Sequence, residues 1–368
     1  MQRLLAASLL LCLPMLAHAG DAAISTEQAK RIDDAVRAIM QVNDVPGATV
    51  LVADHGQVVY RQAYGMRDLK TRQPAAVDTT YEVGPITEQF TAAAILQLQE
   101  AGKLHLDDKL SVYLPDAPFA DKVTLRQALT HSGGLPDYLA EIEDAKATGK
   151  PATFNELMGY IRDKPLRFPP GIHVEYSSTG YAMAGRVIEV VSHETYWHYL
   201  QNHLLAPAGM THTFTVAEKN SIPGMATGYM QENDKRVPAP TIHASVGWAA
   251  GFLVTTVDDM QKWNRALQDG KIVSHADVAL MSKPVETLDG FTTYGLGLTV
   301  DTLDGQSRVG HSGSSNGFVD ANEYFPDQGM QIIAFTNALT RPAPAEMMTT
   351  AIFEIMHPDI AQAAMRPV

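Results

Sequence analysis

Cysteine is all but missing: the chain holds one, Cys12, inside an apolar N-terminal stretch. Without that stretch no disulfide, thiol nucleophile or thiolate metal ligand is possible, so stability has to come from core packing. Positive charge is also short. Against 41 acidic residues there are 28 Lys and Arg, a formal charge of −13, and such a surface argues against nucleic-acid or anionic-membrane partners. Long apolar runs are absent after Leu16, and no internal repeat or low-complexity segment interrupts the chain.

What is present begins with a short basic start, Met1-Gln2-Arg3, then Leu4 to Leu16 at signal-peptide length, then Ala17-His18-Ala19 as a small-residue cleavage pattern. Residues 1–19 therefore read as a signal peptide and 20–368 as one exported domain, periplasmic or secreted, with no membrane span after cleavage. The stretch is too short to span a bilayer comfortably. The 45 % apolar content over 368 residues suffices for one large core or two joined subdomains.

Ile24 to Val42 has helical spacing, with Ile32, Val36, Ile39 and Met40 on one side and Ser25 or Thr26 able to cap. Ala48 to Ala53 and Val58 to Tyr64 read as a hairpin about Asp54-His55-Gly56-Gln57. Tyr81-Glu82-Val83-Gly84-Pro85-Ile86-Thr87-Glu88 reads as a helix start: Gly84 is permissive, Pro85 costs no helical hydrogen bond, and Glu88 suits the dipole of the first turn. The run from Thr91 is apolar nearly all round, which predicts a buried helix ended by Gly102.

Helices are further expected at 125–130, 154–162, 179–191, 194–205 and 260–267, and a last one over 344–356. Strands are expected at 294–300, 307–309, 321–325 and 331–337, and the polar loop 216–242 has little pattern. Strands near both ends around a helical middle imply an α/β (α+β) fold. Its α/β part, with the antiparallel sheet, would take about 24–84 and 241–368, with a large all-α part of about 85–240 between them and a cleft where the halves meet.

Several motifs make a resemblance specific: Leu129-Thr130-His131-Ser132-Gly133-Gly134-Leu135-Pro136, Tyr176-Ser177-Ser178-Thr179-Gly180-Tyr181, Pro207-Ala208-Gly209-Met210, Tyr294-Gly295-Leu296-Gly297 and Gly310-His311-Ser312-Gly313. With these the chain resembles the β-lactamase-related serine hydrolases, which include class C β-lactamases, penicillin-binding proteins, esterases and D-amino-acid peptidases. The resemblance implies a serine β-lactamase/transpeptidase-like fold and three catalytic motifs. Carried over position by position, Ser-x-x-Lys falls on Pro85 and Glu88, and Tyr-x-Asn on Tyr176 and Ser178. The Lys/His-small-Gly motif falls intact on His311, Ser312 and Gly313.

The chemistry of that substitution is direct. Ser-x-x-Lys chemistry needs a hydroxyl activated by a desolvated amine, with backbone N–H groups around the oxyanion. Proline supplies neither hydroxyl nor N–H. The expectation is a catalytically impaired or inactive homologue, a pseudoenzyme whose cleft binds a small-molecule, peptide or cell-wall-like ligand, or a protein partner, through Glu88, Tyr176, Ser178, His311, Ser312 and Gly313. The alternative is an active hydrolase using a displaced nucleophile or acid–base chemistry by Glu88, Tyr176 and His311. No cofactor and no metal is expected: His193 and His198, five apart, would lie about 140° from each other on one helix. His131 reads as a structural histidine. Trp248 suits either a cleft wall or the core.

Overall fold

The computed structural model describes residues 24–144, 146–287, 290–291 and 293–364; the expected signal peptide lies outside them. Its centre is a seven-stranded antiparallel sheet: β1 (Gly47–Asp54), β2 (Gln57–Asp68), β3 (Gln73–Pro74), β4 (Thr299–Leu303), β5 (Gln306–Ser315), β6 (Phe318–Phe325) and β7 (Met330–Thr336), in the order β4-β5-β6-β7-β1-β2-β3. The β1–β2 turn has His55 and Gly56 both at positive φ, 46° and 77°, the left-handed pair whose twist matches a two-residue hairpin. The early and late segments meet where β1 pairs with β7, Ala48 opposite Thr336 through Asp54 opposite Met330.

Alternation along β1 serves two cores. Val50 and Val52 join α1 (Thr26–Val42) and the helix Pro344–Met356 on one face; that helix is not the last, since Pro358–Ala364 forms another after it. Leu51 and Ala53 join the larger core of the helical side on the other. The N-terminus of α1 is fixed by a Ser25–Gln28 capping box, and Ile32, Val36 and Met40 are its buried stripe. The central helix α2 (Glu88–Glu100) is buried along its first nine residues, and Phe90 stacks on Trp263 with ring centroids 3.9 Å apart. Around α2 stand α3 (Ser178–Ser192), α4 (Val257–Gln268) and α5 (His275–Met281). Among the described residues no helix is long and apolar enough to cross a membrane.

Some expectations change. Tyr294 to Leu298 is not a strand: Tyr294 makes one isolated bridge to Thr299, and a Cβ at Gly295 would lie 2.1 Å from the Met281 carbonyl oxygen, so the glycines carry a tight loop against α5. β5 is much longer than 307–309 and takes in His311-Ser312-Gly313. Residues 229–232 and 235–238 form a hairpin that pairs with Ala338–Leu339 inside what reads as loop. The 194–205 helix begins at Tyr196 and passes into a π-helical turn over Gln201–Leu205. His193 ends α3 in the left-handed region, so it and His198 lie on different elements. Trp248 sits at a backbone kink and packs edge-on against Phe154 and Tyr196.

Candidate functional site

The site is built on the chain's passage from the sheet to α2. Gly84, at φ 46°, opens a 3₁₀ turn over Gly84–Thr87, and α2 follows at once from Glu88. A Cβ at Gly313 would come within 2.3 Å of the Val83 carbonyl oxygen, so β5 lies directly against this turn. Pro85 fits because the first turn of a helix has no intrahelical use for its N–H.

Glu88 is fully buried. One carboxylate oxygen, Oε1, accepts from the Tyr176 hydroxyl at 2.7 Å. The other, Oε2, accepts from the Tyr294 hydroxyl at 2.8 Å, with His131 Nε2 at 3.2 Å and His311 Nε2 at 3.5 Å. Burial pushes the Glu88 pKa up, but the electrostatic pull of His131, followed by that of His311, outweighs it and brings the group down to about 2. The N-terminus of α2 favours the same ionised form. The two phenols move the other way: burial, then the negative Glu88, hold Tyr176 and Tyr294 well above the ordinary tyrosine value.

Proton accounting defines the roles of the histidines. His131 Nδ1 accepts from the Ser177 backbone N–H at 3.3 Å, which leaves its Nε2–H for Glu88. His131 Nε2 stands off the linear direction, so its hold on Glu88 is an electrostatic contact and not a straight hydrogen bond. His311 Nδ1 lies 2.6 Å from the Ser312 carbonyl oxygen and can only donate there; its Nε2 faces the Tyr294 hydroxyl at 2.8 Å. Tyr294 has one proton. When it donates to Glu88, His311 must donate from Nε2 and is the imidazolium.

Above the cluster lies a cleft of about 320 Å³ whose lining includes Pro85, Tyr176, Ser178, Ser314, Asp137 and Arg341. Tyr176 leaves 43 % of its surface exposed while its hydroxyl reaches inward to Glu88. Burial pushes Asp137 up to about 6, helped by the charges of Glu88 and Glu143 and opposed by the N–H groups of Leu139 and Ser178.

Of the residues singled out in the sequence, Tyr176 and Ser178 face the cleft with Pro85. Glu88 does not line it but is sealed beneath. His311 and Ser312 line a separate cavity of about 130 Å³ with Arg308 and Glu323, and Gly313 serves close packing. His311 is buried in mid-strand because Gly310 and Gly313 let both neighbouring segments approach. Thr87 turns away, its hydroxyl accepting from the Leu253 N–H at 3.3 Å, and Ser177 donates to the Pro136 carbonyl. His131 accepts from the Ser177 N–H and also stands 3.2 Å from Glu88. Tyr294, Asp137 and Arg341 were not anticipated; for Tyr294 the Tyr-Gly-x-Gly motif was the available signal. Among the described residues no group of three His, Cys, Asp or Glu side chains could hold a metal ion.

A helix N-terminus at the floor of a cleft, a tyrosine on the helical side and a His-Ser-Gly strand on the other define the serine β-lactamase/transpeptidase class of fold. Its closest statement is a family one: the chain belongs to the beta-lactamase family, which matches residues 32–357. The Bacillus subtilis (strain 168) protein PbpX, whose name assigns it provisionally to the penicillin-binding proteins, is 29 % identical over 336 residues, 90 % of this chain and 81 % of that one. The flp protein of Staphylococcus aureus (strain N315) is 28 % identical over 245 residues, 65 % of this chain and 49 % of that one. Among solved structures, the octameric penicillin-binding protein homologue of Pyrococcus abyssi superimposes with a TM-score of 0.80 at 28 % identity, covering 89 % of this chain and 77 % of that one. A D-stereospecific amidohydrolase from Streptomyces sp. gives 0.77 at 26 % identity, covering 88 % and 98 %.

Proposed function

We propose that this protein is an exported, non-hydrolytic member of its family that retains the cleft for binding peptide or cell-wall-like ligands. The observation that carries the reading is the pair at the start of α2. Pro85 offers no hydroxyl to acylate and no N–H for an oxyanion, and Glu88 replaces an ammonium base by a carboxylate already saturated with donors. Loss of one oxyanion donor alone costs about 10²- to 10³-fold in rate. The names of the similar proteins, a D-stereospecific amidohydrolase and penicillin-binding protein homologues, support D-amino-acid-containing peptides as the ligand class. The apolar stretch Leu4 to Leu16 before Ala17-His18-Ala19 supports export.

Acid–base hydrolysis by Glu88, Tyr176 and His311 is disfavoured by their environment: Glu88 is a weakened base, and Tyr176 is a weakened acid. The test is to assay the mature protein with p-nitrophenyl esters and D-Ala-containing peptides while measuring binding of the same peptides by calorimetry. Saturable binding without turnover is expected. Turnover that disappears in Glu88→Gln or Tyr176→Phe would overturn the reading. Pro85→Ser with Glu88→Lys is expected to stay far below a normal enzyme's rate. Ser178 still stands where an amide is needed, and the new ammonium faces two histidines.

A further inference from the structure

A second cavity, of about 290 Å³, opens between α2, α4, α5 and the sheet and shares no lining residue with the cleft. Its walls are mainly apolar, with Leu267, Val278, Leu298 and Val309, and carry no charged side chain; His275 is the only titratable imidazole among them. Two polar lining residues, Asn264 and Asn322, satisfy each other, amide to amide, at 2.6 and 3.0 Å. A third does not. Gln89 is 1 % exposed, and its Oε1 accepts from Trp263 Nε1 at 2.7 Å, which fixes which end of the amide is which. Its Nε2 has no hydrogen-bond partner among the described residues.

A buried amide donor left without an acceptor costs free energy that an incoming acceptor would recover. The cavity is about twice the roughly 150 Å³ that holds benzene in an apolar protein interior. We propose that it is a binding site for a small uncharged molecule with an apolar body and one carbonyl acceptor, the carbonyl taken by Gln89 Nε2 and the body by the Leu267–Val278–Leu298–Val309 wall. A charged ligand would find no counter-ion in the walls. The occupant would touch Gln89 next to Glu88 in α2, and Gly310 next to His311 in β5, so it would abut both arms of the Glu88 cluster from outside the cleft.

The test uses the mature chain and three probes in ligand-observed NMR titrations: acetophenone, ethylbenzene as the same shape without the acceptor, and benzoate as the charged counterpart. Acetophenone is expected to bind saturably and roughly three- to tenfold more tightly than ethylbenzene, the worth of one hydrogen bond, with benzoate weakest. Ala279→Phe, at an exposed lining position of α5, should weaken acetophenone and ethylbenzene by at least about tenfold by filling the cavity. Gln89→Met should abolish the preference for acetophenone and leave ethylbenzene unchanged. Cooperative thermal unfolding of each variant confirms that it is folded. If Gln89→Met does not fold, the wild-type preference and the weakening of both probes in Ala279→Phe still decide. Absence of saturable binding, binding indifferent to Ala279→Phe, equal affinity for acetophenone and ethylbenzene, or a preference for benzoate would each overturn the proposal.

Discussion

Two buried carboxyls, Glu88 and Asp320, share nearly complete burial, yet their pKa values are driven in opposite directions. Glu88, at the start of α2, is surrounded by two phenol hydroxyls and two imidazoles and titrates near 2. Asp320, inside β6, accepts one backbone N–H from Thr336 at 3.0 Å, and its second oxygen has no partner among the described residues. Burial holds its pKa well above the ordinary carboxylate value, with Glu82 adding a like charge. Burial alone therefore does not decide ionisation; the donor inventory does. Four groups, His131, Tyr176, Tyr294 and His311, converge on Glu88 from separate segments of the chain.

Breaking that convergence gives the largest effect. Glu88→Leu leaves two hydroxyls and an imidazole N–H facing an apolar side chain, and a loss of about 3–5 kcal/mol is expected at neutral pH by urea unfolding. A loss below about 1 kcal/mol would show that the cluster carries little of the fold.

The pH dependence separates the two carboxyls by sign. Glu88 has a folded pKa of about 2 against an ordinary 4.5, so its contribution is complete above about 4.5 and vanishes as the pH falls towards 2, a matter of about 3 kcal/mol. Asp320 has a raised folded pKa, so its contribution is complete below the ordinary value of 3.8 and is lost as the pH rises above it. Unfolding free energies measured from pH 2 to 7 should therefore lose acid-side dependence in Glu88→Gln and lose a falling component at higher pH in Asp320→Asn. Parallel changes in the two variants would contradict the contrast.

The smallest effect belongs to Asp320→Asn at pH 5. An amide keeps the acceptor for the Thr336 N–H and stands in for an acid whose ionisation burial already opposes, so a change within about 1 kcal/mol in urea unfolding is expected.

Legibility in the sequence followed the range of the contact. The β1–β2 hairpin was readable because His55-Gly56 and the alternation beside it are local, and the helix Pro344–Met356 because its start and its apolar period are both in one segment. The resemblance located Pro85, Glu88, Tyr176 and His311 as corresponding positions, yet not their geometry. Tyr294 is 206 residues from the carboxylate it donates to, and Tyr176 is 88; contacts of that span leave no periodic trace. His311 was misjudged for a related reason, since a polar residue between glycines shows no strand pattern although close packing buries it. The hairpin within 229–238 escaped because its strands run apolar-apolar-polar-polar and polar-polar-apolar-apolar, with only Tyr229 buried, so no alternation marked them.

The proposed function requires that the start of α2, with Pro85 and Glu88, forms no acyl-enzyme. Mature protein incubated with a fluorescent penicillin, and separately with a fluorophosphonate, should show an unchanged intact mass in both cases. A stoichiometric covalent adduct, mapped to any residue of the cleft, would contradict it.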